Sequence, residues 1–357
     1  SIIAIFAKTS IDTIASQLAI LMCGHAFLCM DINHPIDRNA YILSDSNAKL
    51  LLYCAEKPEF NKKDIIMQNI SDIPLKSGEA MENVSSLCKQ NTSYEIAYII
   101  YTSGSTGQPK GVAISYHSLL NLCIWHNDYY NVTENDAATR YAGAAFDAAV
   151  WELFPYLIVG AAVHIIPEKI KLEIEGLNKY FENENITITF LPTQFAEEFM
   201  KIENRSLRCL LTGGDVLKNY CCTRYKVFNN YGPTENTVVT TVYEVQEKNN
   251  RIPIGKPIYN NEVYILDKYN NLLPDNVPGE LAIAGDGLAI GYVDSSLDSS
   301  RFVKLDKKRV YLTGDIVMLN SDGMIEYLHR KDFQVQIRGY RIELGEIEYN
   351  IDSYVEI

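Results

Sequence analysis

The sequence predicts an α/β fold of mostly parallel sheets covered by helices, followed by a small β-barrel or sandwich. Two changes of rhythm and one loop carry that expectation. From residue 1 to about 240, short apolar runs (Leu50–Tyr53, Tyr98–Tyr101, Ala162–Ile166, Ile186–Leu191, Cys209–Leu211) alternate with helix-like segments such as Ile11–Cys23 and Trp151–Val159. From about Val238 to Tyr327, strands are punctuated by turn pairs: Asn260–Asn261, Pro274–Asp275, Pro278–Gly279, Asp286–Gly287 and Asp322–Gly323. Between residues 99 and 112, an apolar strand runs directly into a loop of hydroxyls, glycines and a lysine.

In chain order, Ile2–Ala7 reads as a strand that starts without an initiator Met or a basic leader, so the chain is expected to be an excerpt of something longer. The longest apolar run, Ile14–Met30, is interrupted by Ser16, Gln17, Gly24 and His25, which predicts a core helix and then a strand rather than a membrane span. Lys57–Lys89 is polar and is expected to include surface loop. Arg330, Lys331, Asp332, Arg338, Arg341 and Glu343 cluster after the β-rich region and predict an interdomain joint.

Bulk properties narrow the function. The 357 residues, 47% of them hydrophobic, are enough for two or three packed units. A formal charge of −13 argues against nucleic acid or an anionic membrane surface as the main partner, so any anionic substrate needs a local site. Eight cysteines without C-x-x-C spacing suggest reduced thiols in a cytoplasmic enzyme.

The loop supplies such a site. Gly104, Gly107 and Gly111 free the backbone to turn several N–H groups toward one anion, and Ser103, Ser105, Thr106 and Lys110 add donors and charge. The spacing is not that of a P-loop, because Pro109 stands five places after Gly104 and Val112 five places after Gly107.

Further motifs occur in order: YTSGSTGQPKG (101–111), FDAAVWELF (146–154), NNYGPTE (229–235), GELAIAGDGLAIGY (279–292), YLTGD (311–315) and HRKDFQVQIRGYRIELGEIE (329–348). With them the chain resembles the adenylate-forming enzymes, specifically the amino-acid adenylation domains of nonribosomal peptide synthetases, over nearly its whole length. The resemblance implies two α/β subdomains over residues 1–237, a β-barrel over 238–328, and at 329–357 a hinge with only the start of a C-terminal lid.

It also implies residue roles. The nucleotide would be held by Thr102, Ser103, Gly104, Ser105, Thr106, Gly107 and Lys110, by Gly214, Asn229, Tyr231, Gly232 and Thr234, and by Asp315 and Arg330. Tyr231 would stack on adenine, Asn229 would bond the purine edge, and Asp315 would accept both ribose hydroxyls, as an ionised carboxylate with two free oxygens can. Thr234, Glu235 and Lys110 are the expected catalytic groups, with Glu235 as the Mg²⁺ ligand, since a hard cation prefers a carboxylate plus phosphate oxygens. Asp332 would be the pivot of the lid.

The implied reaction joins an amino-acid carboxylate to the α-phosphorus of ATP, releases pyrophosphate, and passes the acyl group to the phosphopantetheine thiol of a peptidyl carrier domain. A condensation domain is an expected neighbour. No protein nucleophile is required, so His117 and His126 are read as structural or exposed. Asp147 would pair the substrate ammonium, or would simply cap a helix beginning at Ala148. Asp147, Ala148, Trp151, Phe190, Leu211, Gly213, Asn230, Val238 and Val239 match the family's pocket positions, with Thr189 the alternative to Phe190. That lining resembles pockets selecting leucine, with isoleucine, valine or methionine as minor substrates.

The chain departs from the family in places. The lid lysine is expected to be missing, and Gln336 stands where lysine is usual, so the excerpt is expected to adenylate poorly. Competing readings are an acyl- or aryl-CoA ligase of the same superfamily and an inactive binding module.

Overall fold

The computed structural model describes residues 1–54, 57–60, 65–73, 95–104, 107–247, 251–332, 334–337 and 340–352. Most of the polar stretch 57–89 lies outside the described residues, as do Ser105, Thr106 and Arg338; the side chains of Gln336 and Arg341 are likewise not described.

Two seven-stranded sheets form the α/β part. In the first, Ile2–Phe6 pairs in parallel with Ala26–Met30 and Leu50–Tyr53, and Ala26–Met30 continues to Ile96–Thr102. As expected from the interrupted apolar run, a helix (Ile11–Met22) precedes the strand Ala26–Met30, and Ser10 caps it by accepting from Thr13 N at 3.2 Å. Ile96–Thr102 then turns back antiparallel onto Lys110–Ser115. Lys110 thus opens the returning strand instead of riding on the loop.

The second sheet runs Lys256–Pro257, Thr241–Val245, Lys226–Tyr231, Cys209–Gly213, Ile188–Pro192, Ala137–Arg140, Ala162–Ile165. Its middle strands are parallel, and side chains alternate between its faces. Leu210 points to the helices Ile174–Asn183 and Thr193–Phe199, whereas Cys209 and Leu211 point to the opposite core.

Between the sheets lies the helix Tyr116–Tyr129, opened by Ser115, which accepts from Ser118 N at 3.0 Å. Leu119 and Cys123 pack into the core of the first sheet, while Leu122 and Trp125 pack into that of the second. Burial on two sides leaves only a narrow exposed stripe, marked by Leu120 and Ile124. The helix-like segment Trp151–Val159 is in fact two short helices, Ala148–Trp151 and Phe154–Val159. Pro155 lacks the N–H that a continuous helix would use and sits instead in the first turn of the second one.

The β-rich region is a curled five-stranded antiparallel sheet: Asn261–Leu266, Gly279–Gly285, Lys308–Leu319 and Phe302–Leu305, with Ile325–Arg330 added to Lys308–Leu319. Asp315 sits inside this long central strand, in register with Arg330. No helix among the described residues is long and apolar enough to cross a membrane.

Candidate active site

The strand Lys226–Tyr231 and the turn after it bring the predicted residues together. Glu235 is fully buried, and its Oε1 accepts from Lys110 Nζ at 2.9 Å and from Tyr292 Oη at 2.8 Å. Lys110 also reaches Tyr292 Oη at 3.1 Å and lies 4.7 Å from the centre of that ring. A buried carboxylate needs a positive neighbour, and here the lysine supplies it. The same demand suits a hard cation that completes its shell with phosphate oxygens, because a single carboxylate suffices there. Among the described residues no cluster of three or more His, Cys, Asp or Glu could hold a metal by protein ligands alone. Tyr292 was not assigned a role from sequence, although it closes one of the quoted motifs.

A second group gathers about Asp315. Tyr231 donates its hydroxyl to Asp315 Oδ2, and Arg330 Nη1 reaches Asp315 Oδ1 at 2.9 Å. Arg330 grips Asp332 with two bonds, at 2.8 and 2.7 Å, and Arg301 approaches Asp332 at 3.4 Å. Burial works against the Arg330 charge, but the hydrogen bonds to Asp332 and the charge of Asp315 prevail and lift its pKa above the usual guanidinium value. Burial, then the Asp315 charge, pushes the Tyr231 phenol well above its ordinary pKa, so it stays a donor. Asn229 is buried and donates to the Pro253 carbonyl at 2.8 Å.

Nearer the loop, Gly104, Lys110, Tyr292, Arg301 and Glu343 line one cleft. Arg301 also lines an adjoining cleft with Gly314 and Asp332. Ser103, Gly104 and Gly107 are buried, and Thr102 Oγ1 is buried without a hydrogen-bond partner among the described residues. Gly214 is exposed with φ 85°. Ser105 and Thr106, both expected phosphate ligands, lie outside the described residues.

The third group is the apolar one. Asp147 caps the helix, its Oδ1 accepting from Ala148 N at 2.7 Å, while its Oδ2 accepts from Thr234 Oγ1 at 2.5 Å. Trp151, Leu211 and Val239 are buried in one cluster, with Phe190 and Val238 against it. Phe190 meets Trp151 edge-on, with ring centroids 5.5 Å apart. Thr189 points to the other face and pairs with Thr139 at 2.7 Å, so strand alternation favours Phe190 over Thr189 as the residue beside Trp151. Asn230 lies opposite Gly213, where an added Cβ would stand 2.3 Å from the Asn230 carbonyl oxygen. Only glycine permits that approach.

The wall of this cluster is set by an unusual turn. Thr237 and Val238 have φ 51° and 69°, and Val239 N closes onto the Thr237 carbonyl at 2.8 Å in a strained γ-turn. Consecutive β-branched residues rarely take this conformation. Neighbouring bonds hold it there: Thr237 Oγ1 donates to Gly287 O at 2.6 Å, and Thr240 N to Tyr231 O at 2.7 Å. The same return of the chain explains Gly232, whose Cβ would lie 2.4 Å from the Val238 carbonyl.

Residues 1–293 match the model of the AMP-binding enzyme family. Over 99% of its length the chain is 45% identical to surfactin synthase subunit 1 of Bacillus subtilis, and over its full length 44% identical to bacitracin synthase 1 of Bacillus licheniformis, of which it spans 10% and 7%. Among solved structures, a four-domain nonribosomal peptide synthetase bound to AMP and glycine matches 99% of the chain at 30% identity and a TM-score of 0.83, the chain covering 27% of it. An artificially fused adenylation–carrier di-domain from Klebsiella oxytoca gives a TM-score of 0.84 at 23% identity, with 99% of this chain and 74% of that one covered, a likeness of fold. The chain belongs to the AMP-binding enzyme family, and its similarity within it runs to the adenylation domains of nonribosomal peptide synthetases.

Proposed function

We propose that the chain activates an amino acid, most favourably L-leucine, as its adenylate with release of pyrophosphate, for transfer to a phosphopantetheine thiol on a peptidyl carrier domain, with a condensation domain as a further neighbour. The observation that carries this reading is the Thr234–Asp147 contact of 2.5 Å, because it joins the proposed ammonium anchor to the residue proposed to meet the α-phosphate. A carboxylate and a phosphate bound on either side of that contact would have their reacting atoms adjacent, and proximity is the larger part of what such a reaction needs. Lys110 would hold negative charge on the departing pyrophosphate, and Glu235 with the phosphates would hold Mg²⁺, which supplies charge neutralisation when bound. Asp315 and Arg330 would take the ribose, Tyr231 the adenine. The relative solved with AMP and glycine supports this class of ligand, and the branched apolar wall of Trp151, Phe190, Leu211, Val238 and Val239 supports a medium aliphatic side chain.

ATP–pyrophosphate exchange with an amino-acid panel and with 4-methylpentanoate, the des-amino analogue of leucine, tests the reading in the polypeptide that naturally carries this chain. Leucine is expected to drive exchange most strongly, and Asp147→Ala to remove the advantage of leucine over 4-methylpentanoate. Exchange independent of amino acid, or a preference for acetate-like or aryl acids, overturns it.

A further inference from the structure

Behind the apolar pocket wall stands the last turn of the helix Tyr116–Tyr129, which the reaction itself does not use. Trp151 Nε1 donates to His126 Nδ1 at 2.8 Å, and Tyr130 Oη donates to Asn230 Oδ1 at 2.6 Å. His126 and Tyr130 are four residues apart, so they share one face; their rings stand 4.8 Å apart, and they are 0% and 2% exposed. Each is thus a buried polar partner of one pocket residue.

We propose that His126 and Tyr130 are positioning residues that set side-chain selectivity by fixing the Trp151 indole and the Asn230 carboxamide; the inference rests on the amino-acid reading above. The indole N–H is buried among Trp125, Tyr130, Leu211 and Val239, where an unmade hydrogen bond is costly, so the acceptor on His126 selects one ring orientation. That acceptor exists only while Nδ1 is unprotonated, and aromatic rings enclose the imidazole: Tyr130, Tyr156 at 4.9 Å and Trp151 at 5.7 Å. Asn230 is pinned the same way. Its oxygen accepts from Tyr130 while its Nδ2 donates to Phe228 O at 3.1 Å and Thr212 O at 3.4 Å, so turning the amide over sets its oxygen against two carbonyl oxygens. With either partner removed, the wall loses its fixed shape, and bulkier side chains gain access.

The test is kcat/KM in ATP–pyrophosphate exchange for leucine, valine, methionine and phenylalanine, with KM for ATP measured alongside, in His126→Leu, His126→Asn and Tyr130→Phe. Asn offers an oxygen close to the position of Nδ1 and serves as rescue; Tyr130→Phe keeps the ring and removes only the hydroxyl. In His126→Leu the leucine-to-phenylalanine ratio is expected to fall about tenfold, the scale of discrimination that one hydrophobic pocket supplies. KM for ATP should stay within about twofold, His126→Asn should recover the ratio, and Tyr130→Phe should shift it in the same direction. A uniform loss across all four amino acids, ratios unchanged in both His126→Leu and Tyr130→Phe, or a ratio in His126→Asn as low as in His126→Leu, overturns the inference. Wild-type exchange that needs no amino acid would instead overturn the underlying function, and this inference with it.

Discussion

Acidification is expected to weaken the fold through His126 in particular. Burial pulls the pKa of this imidazole from 6.5 down to about 3, with the Arg208 charge adding in the same direction. The folded value lies below the unfolded one, so the residue contributes its full stability above pH 6.5, and that contribution drains away as pH falls toward 3. In that window the slope is about 1.4 kcal/mol per pH unit, so going from pH 7 to pH 5 removes about 2 kcal/mol. A structural cause accompanies the electrostatic one: a protonated Nδ1 is a donor and cannot accept from the Trp151 indole. Paired carboxylates elsewhere also lose stability in acid, so the informative quantity is a difference of differences. Urea unfolding of the wild type and of His126→Asn at both pH values should show a pH effect about 2 kcal/mol larger in the wild type. Equal pH effects in the two proteins would refute the reasoning and imply that the imidazole accepts a proton without unfolding.

Two further outcomes follow from single contacts. Thr234 has one hydroxyl proton, which it donates to Asp147 Oδ2 at 2.5 Å; under the proposed function, a nucleotide phosphate that competes for this proton would leave the Asp147 carboxylate better able to pair an ammonium group. A non-hydrolysable ATP analogue is therefore expected to tighten leucine binding about tenfold by calorimetry in the wild type and much less in Thr234→Val, and an equal effect in both would remove this hydroxyl as the link. Gly213→Ala places a methyl 2.3 Å from the Asn230 carbonyl oxygen, so the strand must move; a loss of about 1–3 kcal/mol in urea unfolding is expected, and unchanged stability would contradict the packing described.

Much of this was legible in the residues themselves, because backbone constraints leave marks in sequence. The strand before the Gly-rich loop and the helix and strand within Ile14–Met30 correspond to described elements, and the turn pairs after Val238 fall between strands or at their starts. Asp147 was legible as a helix cap, while the contact of its second oxygen with Thr234, 87 residues away, was not. What was not legible depended on long-range partners. The helix Tyr116–Tyr129 is buried by two sheets, so it lacks the single apolar stripe that periodicity detects. His126 could be read only as structural or exposed, since its partner stands 25 residues away on another helix. Tyr292 was hidden for the same reason, 182 residues from Lys110. Pro155 was a local signal that the run Trp151–Val159 would be interrupted, and the fold obeys it.

The left-handed pair Thr237–Val238 carries a consequence for how such a protein can change. Holding each residue there costs on the order of 1–3 kcal/mol, so glycine or asparagine would be gentler occupants of either position. Selection for heat resistance alone would favour that relief, and the slackened turn would no longer hold Val238 and Val239 against the Trp151 cluster. Under the proposed function, robustness and discrimination pull against each other at one short bend of the chain.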